Sequence, residues 1–146
     1  MYTIGVNFDG ACVQTPDVGV DIGAARVLKL IADAGHSIVC LASRPGNCGS
    51  LAKAVEWFEL NDVPIIGINR NPNQPCGLNI SMTYCDIRID VHAIGAPLTS
   101  DAENISRGGS PYIDWRVVES TLRRMGVLDP DGVNWPQSVI RDISLR

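Results

Sequence analysis

Apolar positions along the chain fall into short runs separated by stretches with helical spacing. Tyr2 to Phe8 is an apolar run stopped at Asn7-Phe8-Asp9-Gly10, which predicts a short strand ending in a glycine turn. Asp21 stands where a helix cap belongs. Behind it Ile22, Ala25, Leu28, Lys29 and Ala32 recur at helical spacing, with Leu30 and Ile31 widening the stripe and Gly35 placed to end it. Ser37 to Leu41 (SIVCL) is too short for a helix and is bounded by Gly35 and Pro45, so it predicts a second strand. Ser50 to Leu60 predicts a second helix whose apolar face carries Leu51, Ala54, Val55 and Phe58. Val63 to Ile68 predicts a third strand, Asp86 to Asp90 a fourth, and Trp115 to Met125 a closing helix.

Strands alternating with helices at this spacing predict a three-layer, Rossmann-like α/β domain around a central parallel sheet. Asn69 to Asn79, rich in Asn and Pro, reads as a surface loop. Beyond Leu128 the chain turns to DPDGVNWPQ, which sets a domain over residues 1–128 apart from a tail over 129–146. In an open parallel sheet, function gathers beyond the carboxyl ends of the strands. That singles out Asn7 and Asp9, Ala42 to Arg44, Asn69 to Asn71, and Asp90 to His92. Asp9 and Asp90, on two strand ends, are hard oxygen ligands of the kind Mg²⁺ takes; as readily, they are turn and cap residues.

Composition narrows the classes of function. The chain has 146 residues, 45% hydrophobic and 19% charged, enough for one well-filled core. No apolar run approaches the ~20 residues of a membrane span. A formal charge of −4 leaves no basic surplus for phosphate backbones, so general nucleic-acid binding is not expected. The opening residues lack the basic and long apolar regions of a signal peptide. Five cysteines with no CxxC pair, and two histidines, support neither a disulfide framework nor a zinc site. The expectation is a cytoplasmic protein in reduced surroundings.

Four segments then form a recognisable order. IGVNFDGACV resembles the first motif of the haloacid dehalogenase (HAD) superfamily, an apolar strand ending in Asp-x-Asp-Gly-Thr. CLASRPG resembles the second motif region, and DIRIDVHAIGAPL resembles the fourth. SPYIDWRVVESTLRRMGVL is similar to the closing helix of a small, capless group of bacterial and phage HAD-like hydrolases. The resemblance runs from about Tyr2 to Leu128 in the family's order. It implies an aspartyl-phosphate mechanism: a nucleophilic first Asp, and a second Asp acting as general acid and then base. It also implies a Ser or Thr that binds the phosphoryl group, a Lys, and fourth-motif acids that hold Mg²⁺.

The departures from that pattern all fall in the implied site. Asn7 stands at the nucleophile position, and an amide is a poor nucleophile, although its carbonyl oxygen can touch a metal. Ala42 replaces the second-motif hydroxyl, with Ser43 one residue on, and strand neighbours face opposite sides. Met82 replaces the lysine, no lysine follows Lys53, and Val91 replaces the second acid of the fourth motif. Asp9, Gly10, Asp90 and Gly95 remain.

The resemblance therefore implies catalytic positions at Asp9 and Asn7, metal positions at Asp90, Asp9 and Asn7, and ligand contacts from Gly10, Ser43, Arg44 and His92. Mg²⁺ is expected to bind weakly or not at all. Plainer readings stand beside these: His92 as a loop residue, Arg44 as a solvated arginine, and Arg88 paired with Asp86 or Asp90. Cys12 and Cys40 read as buried core residues, and Trp57, Trp115 and Trp135 as packing anchors.

Three functions follow as expectations. The first is a pseudo-phosphatase serving as a module for a phosphorylated small molecule or a protein partner. The second is a Mg²⁺-dependent phosphomonoesterase in which Asn7 is an engineered or inactivating replacement of the nucleophile. The third is a homo-oligomeric structural protein that uses the scaffold and the 129–146 tail for assembly.

Overall fold

A computed structural model describes residues 1–15, 19–42, 50–74 and 82–128. The expectations for Ser43, Arg44, Trp135 and the tail over 129–146 lie outside the described residues. The first apolar run forms β1 (Thr3–Asn7), and SIVCL forms β2 (Ser37–Leu41); each strand buries its three central residues. Continuous burial of this kind marks strands covered on both faces. Between them α1 (Ala24–Asp33) buries Ala24, Val27, Leu28 and Ile31, one turn apart along a single stripe.

The ends of α1 show why its boundaries differ from the pattern. Asp21 does not cap the helix: its Oδ1 accepts from the Gly23 N–H at 2.8 Å, a turn that delivers the chain to Gly23, the capping residue. At the other end Gly35, at φ +86°, donates to the Ala32 carbonyl while His36 donates to that of Ile31. That paired arrangement satisfies the last carbonyls and needs a left-handed residue at Gly35.

α2 (Ser50–Leu60) leads to β3 (Gly67–Ile68), then β4 (Ile87–Ile89), β5 (Leu98–Thr99), α3 (Ala102–Ser106), β6 (Tyr112–Ile113) and α4 (Trp115–Arg124). The third strand is much shorter than its apolar run. Pro64 has no N–H to give a ladder, and pairing with β2 opens only where the Ile66 N–H reaches the Ile38 carbonyl at 2.8 Å.

The main sheet is parallel, in the order β3-β2-β1-β4. Chain steps from β1 to β2 to β3 run in one direction, so right-handed crossovers put α1 and α2 on the same face. The core agrees. Ile4, Val6 and Phe8 from β1 and its exit join Ile38 and Cys40 of β2, Ile89 of β4, and the helical residues Leu28, Ile31, Ala54, Phe58, Val118 and Leu122. The Phe8 ring meets Trp57 and Phe58 of α2 edge-on and tilted, with centroids 6.1 and 6.4 Å apart. The chain is thus a Rossmann-like α/β domain whose parallel sheet is flanked by helices.

The stretch between β4 and α4 holds elements that the pattern does not predict. β5 and β6 pair antiparallel as a two-stranded sheet, with α3 capped by the Asp101 carboxylate accepting from the Asn104 N–H at 2.7 Å. Two bonds tie this unit and the start of α4 to the loop after β1. The Ile113 N–H donates to the Gly10 carbonyl at 2.8 Å, and the buried Trp115 indole N–H donates to that of Ala11 at 2.6 Å. Trp115 is therefore an anchor with its polar tip satisfied, as the sequence predicts. Trp57, half-buried, packs edge-on against the rings of Phe8 and Phe58. Among the described residues no helix is long and apolar enough to cross a membrane.

Candidate functional site

β1 has β2 on one side and β4 on the other. The strand order reverses at β1, and parallel α/β sheets open a crevice at such a reversal, beyond the carboxyl ends of the strands. The register sets Gly5 opposite Arg88 and Val6 opposite Ile89. Since Val6 and Ile89 enter the helix-side core, alternation turns Gly5, Asn7, Arg88 and Asp90 toward the opposite face.

A cleft of about 350 Å³ opens on that face, lined by Asn7, Ala42, Asn69, Thr83, Arg88 and Asp90 with Leu41 and Met82. Ends of all four strands of the main sheet thus meet in one place. Gly5 makes the close approach of the β3–β4 connection possible. A Cβ there would lie 2.6 Å from Cys85 Sγ and 2.9 Å from Leu41 Cδ1. Burial pushes the Cys85 thiol up from its usual pKa, against a smaller downward pull from Arg88.

One residue organises the rim. Asn69, at φ 53°, accepts from the Ala42 N–H through Oδ1 and donates to the Ala42 carbonyl through Nδ2, both at 2.8 Å. Its side-chain amide thereby continues the β2 ladder where the backbone has turned away, and Asn tolerates the left-handed conformation better than most residues. The Asn69 carbonyl accepts from the Thr83 hydroxyl at 2.7 Å. The Thr83 carbonyl in turn accepts from the Arg88 guanidinium. Asn69 carries this role with no signal beyond its place at a strand end.

The predicted site residues are brought together in part. Asn7, Ala42 and Asp90 share the cleft. Asp9 is not among its lining residues. Its carboxylate lies near the helix-side thiols, where burial first and Asp9 second push Cys40 up to about 12. Burial likewise holds the Cys12 thiol well above its usual value, so both cysteines are inert core residues.

Gly10, at φ +80°, packs the exit of β1 onto that of β4: a Cβ there would sit 2.9 Å from Val91 Cγ1. Val91 therefore fills space against the first motif. His92 donates its backbone N–H to Asp90 Oδ1 at 2.9 Å, while its ring, Nδ1 at 3.5 Å from that oxygen, is 84% exposed and outside the cleft. Met82 is exposed at the rim.

Arg88 does not pair with a carboxylate, contrary to the expectation from its spacing. Asp86 is taken by the Thr3 N–H at 2.7 Å and the Tyr84 hydroxyl at 3.0 Å, a bond that also raises the Tyr84 pKa. Asp90 is taken by His92. Arg88 reaches the Thr83 carbonyl instead, with no carboxylate within ion-pair distance among the described residues. Arg88 lines the cleft, and the Thr83 carbonyl occupies one of its guanidinium donors.

These residues do not fit a resident Mg²⁺. The described lining of the cleft supplies one carboxylate, Asp90, and one neutral amide, Asn7, while a guanidinium faces the same space. Mg²⁺ is held chiefly by carboxylates and water, and a like charge nearby opposes it. Among the described residues no three His, Cys, Asp or Glu side chains gather as a metal group.

No family model matches the chain, and no curated protein does. Among solved structures it is similar to a conserved protein from Bacteroides thetaiotaomicron, 25% identical, with a TM-score of 0.56 over 75% of this chain and 93% of that one. The likeness supports the Rossmann-like architecture described above.

Proposed function

We propose that the chain is a binding protein on a HAD-like scaffold that has lost phosphoryl transfer, and that its cleft takes a phosphorylated ligand. One observation carries this reading. Asn7, at the position the motif order reserves for the nucleophile, lines the cleft with Asp90 as its carboxylate and Arg88 as its cation. An amide cannot form the aspartyl-phosphate, and the lysine and second acid of the pattern are replaced by Met82 and Val91.

The test is turnover of an aryl phosphate with Mg²⁺ by the chain and by Asn7→Asp. Removal of a nucleophile costs on the order of 10⁴–10⁶ in rate, so a silenced but otherwise complete site recovers by that scale when the carboxylate returns. The binding reading expects both proteins at background. Turnover by Asn7→Asp would replace it with the phosphomonoesterase reading.

A further inference from the structure

The geometry points to Arg88 as the cation of the cleft, binding a phosphate monoester without any divalent metal. This rests on the non-catalytic reading above and adds the means by which the anion is held.

Three observations carry it. Arg88 stands in the middle of β4, opposite Gly5 of β1, and lines the cleft with Asn7 and Asp90. The guanidinium is held in place by a relay: Ala42 backbone to Asn69 amide, Asn69 carbonyl to Thr83 hydroxyl, Thr83 carbonyl to Arg88. The relay is rooted at the ends of β2 and β3, so a long side chain that would otherwise lose rotamer freedom on binding is already ordered. Only one of its donor groups is used by Thr83, which leaves others for a planar, bidentate contact with two phosphate oxygens.

Charge agrees with this assignment. Among the described residues, Arg88 is the cationic side chain lining the cleft, and Asp90 is the anionic one two residues along the same strand face. Two residues on one strand face lie about 7 Å apart. That separation suits a ligand whose phosphate meets Arg88 while a hydroxyl or ammonium a few bonds away donates to Asp90. A phosphorylated alcohol or amino alcohol has this form; a bare dianion meets repulsion at Asp90.

The experiment is a titration of the full chain with O-phosphoethanolamine and with inorganic phosphate, in EDTA and then in excess Mg²⁺, followed by calorimetry or amide chemical shifts. O-phosphoethanolamine is expected to bind more tightly than phosphate, with affinities in EDTA and Mg²⁺ within twofold. Arg88→Gln is expected to lose tenfold or more with its melting temperature kept, since the side chain is exposed. Arg88→Lys, a point charge without the fork, is expected to lie between. Asn69→Ala tests positioning: it should weaken binding while Arg88 is intact.

Metal-free binding that survives Arg88→Gln unchanged overturns the Arg88 assignment and leaves the binding reading standing. Binding that requires Mg²⁺ overturns the metal-free inference; if Asn7→Asp also turns over, the non-catalytic reading falls with it. Absence of binding to either probe at millimolar concentration overturns the inference, whereas the activity test above decides the non-catalytic reading independently.

Discussion

Phe8 and Asn7 are neighbours in the chain, yet they belong to two faces of the sheet that follow different rules. On the helix side Phe8, Ile4 and Val6 are buried to within 1% of completely and touch apolar side chains from α1 and α2. On the cleft side Asn7, Arg88 and Asp90 leave space, and what order there is comes from hydrogen bonds. The first face is held by area removed from water and close packing, which any well-shaped apolar residue provides. The second keeps charged groups half in water and positions them through main-chain carbonyls. A sheet can therefore change its chemistry on one face at little cost to the fold, because stability resides on the other. This is how polar residues such as Asn7, Arg88 and Asp90 can gather at one edge of a well-packed domain.

The largest expected effect tests the packed face. Phe8→Ala removes a fully buried ring between Trp57 and Phe58 and is expected to cost about 3–5 kcal/mol in a urea titration. Asn7→Asp, one residue away, is expected to move the same midpoint by less than about 0.5 kcal/mol, as for a surface substitution. Equal costs at the two positions would erase the distinction between the faces.

Asn69→Ala is expected to fall between them, at about 2 kcal/mol. It loses two hydrogen bonds to Ala42 and leaves a left-handed backbone that Ala adopts poorly. Asn69→Gly separates the causes: it relieves the backbone but not the lost bonds, so it should recover part of the loss in the same titration. Full recovery would mean that the amide contributes nothing to the rim.

The smallest effect is electrostatic. Asp101 is held below the usual carboxylate range by the Asn104 backbone N–H and then the Tyr112 hydroxyl, and Glu119 by Arg26 and then Arg123. Asp114 is lowered by Arg116. A depressed folded pKa adds stability that is complete above the unfolded value, near 4, and is lost as pH falls through the folded one. Melting temperature should therefore hold level from pH 7 to 5 as far as these groups are concerned and decline below about pH 4. Asp101→Asn, which cannot titrate, should make that decline shallower. These carboxylates lie outside the cleft lining, so the acid limb reports on the elements around the site rather than on the site itself.

Legibility divides along the same line. β2 and α2 match their predicted spans because each is a dense apolar pattern with a clear boundary. α4 also starts at Trp115 as predicted, where Asp114 turns the chain and accepts from the Arg116 N–H at 3.1 Å. The third strand shrinks to two residues because a proline and an edge position override its apolar content. β5, β6 and α3 escape the pattern because two-residue strands and a five-residue helix are too short to show a period. In the site, Asn7, Ala42 and Asp90 are legible as strand ends, whereas Asp9 turns out to lie beyond the cleft's edge.

The sequence by itself determined the strands of the main sheet and the helices α1, α2 and α4, that the sheet is parallel, and which polar residues stand at its strand ends. Those are local facts: a period, a glycine after a run, an asparagine where a carboxylate was expected. Only the tertiary structure decided that Arg88 reaches a carbonyl from a different loop rather than the aspartates two residues to either side. Only it placed Asn69 as the clamp on Ala42. Such partners are chosen by distance in space after the sheet has formed, when each carboxylate has already been claimed by a nearer N–H or hydroxyl, and chain spacing carries no record of that competition.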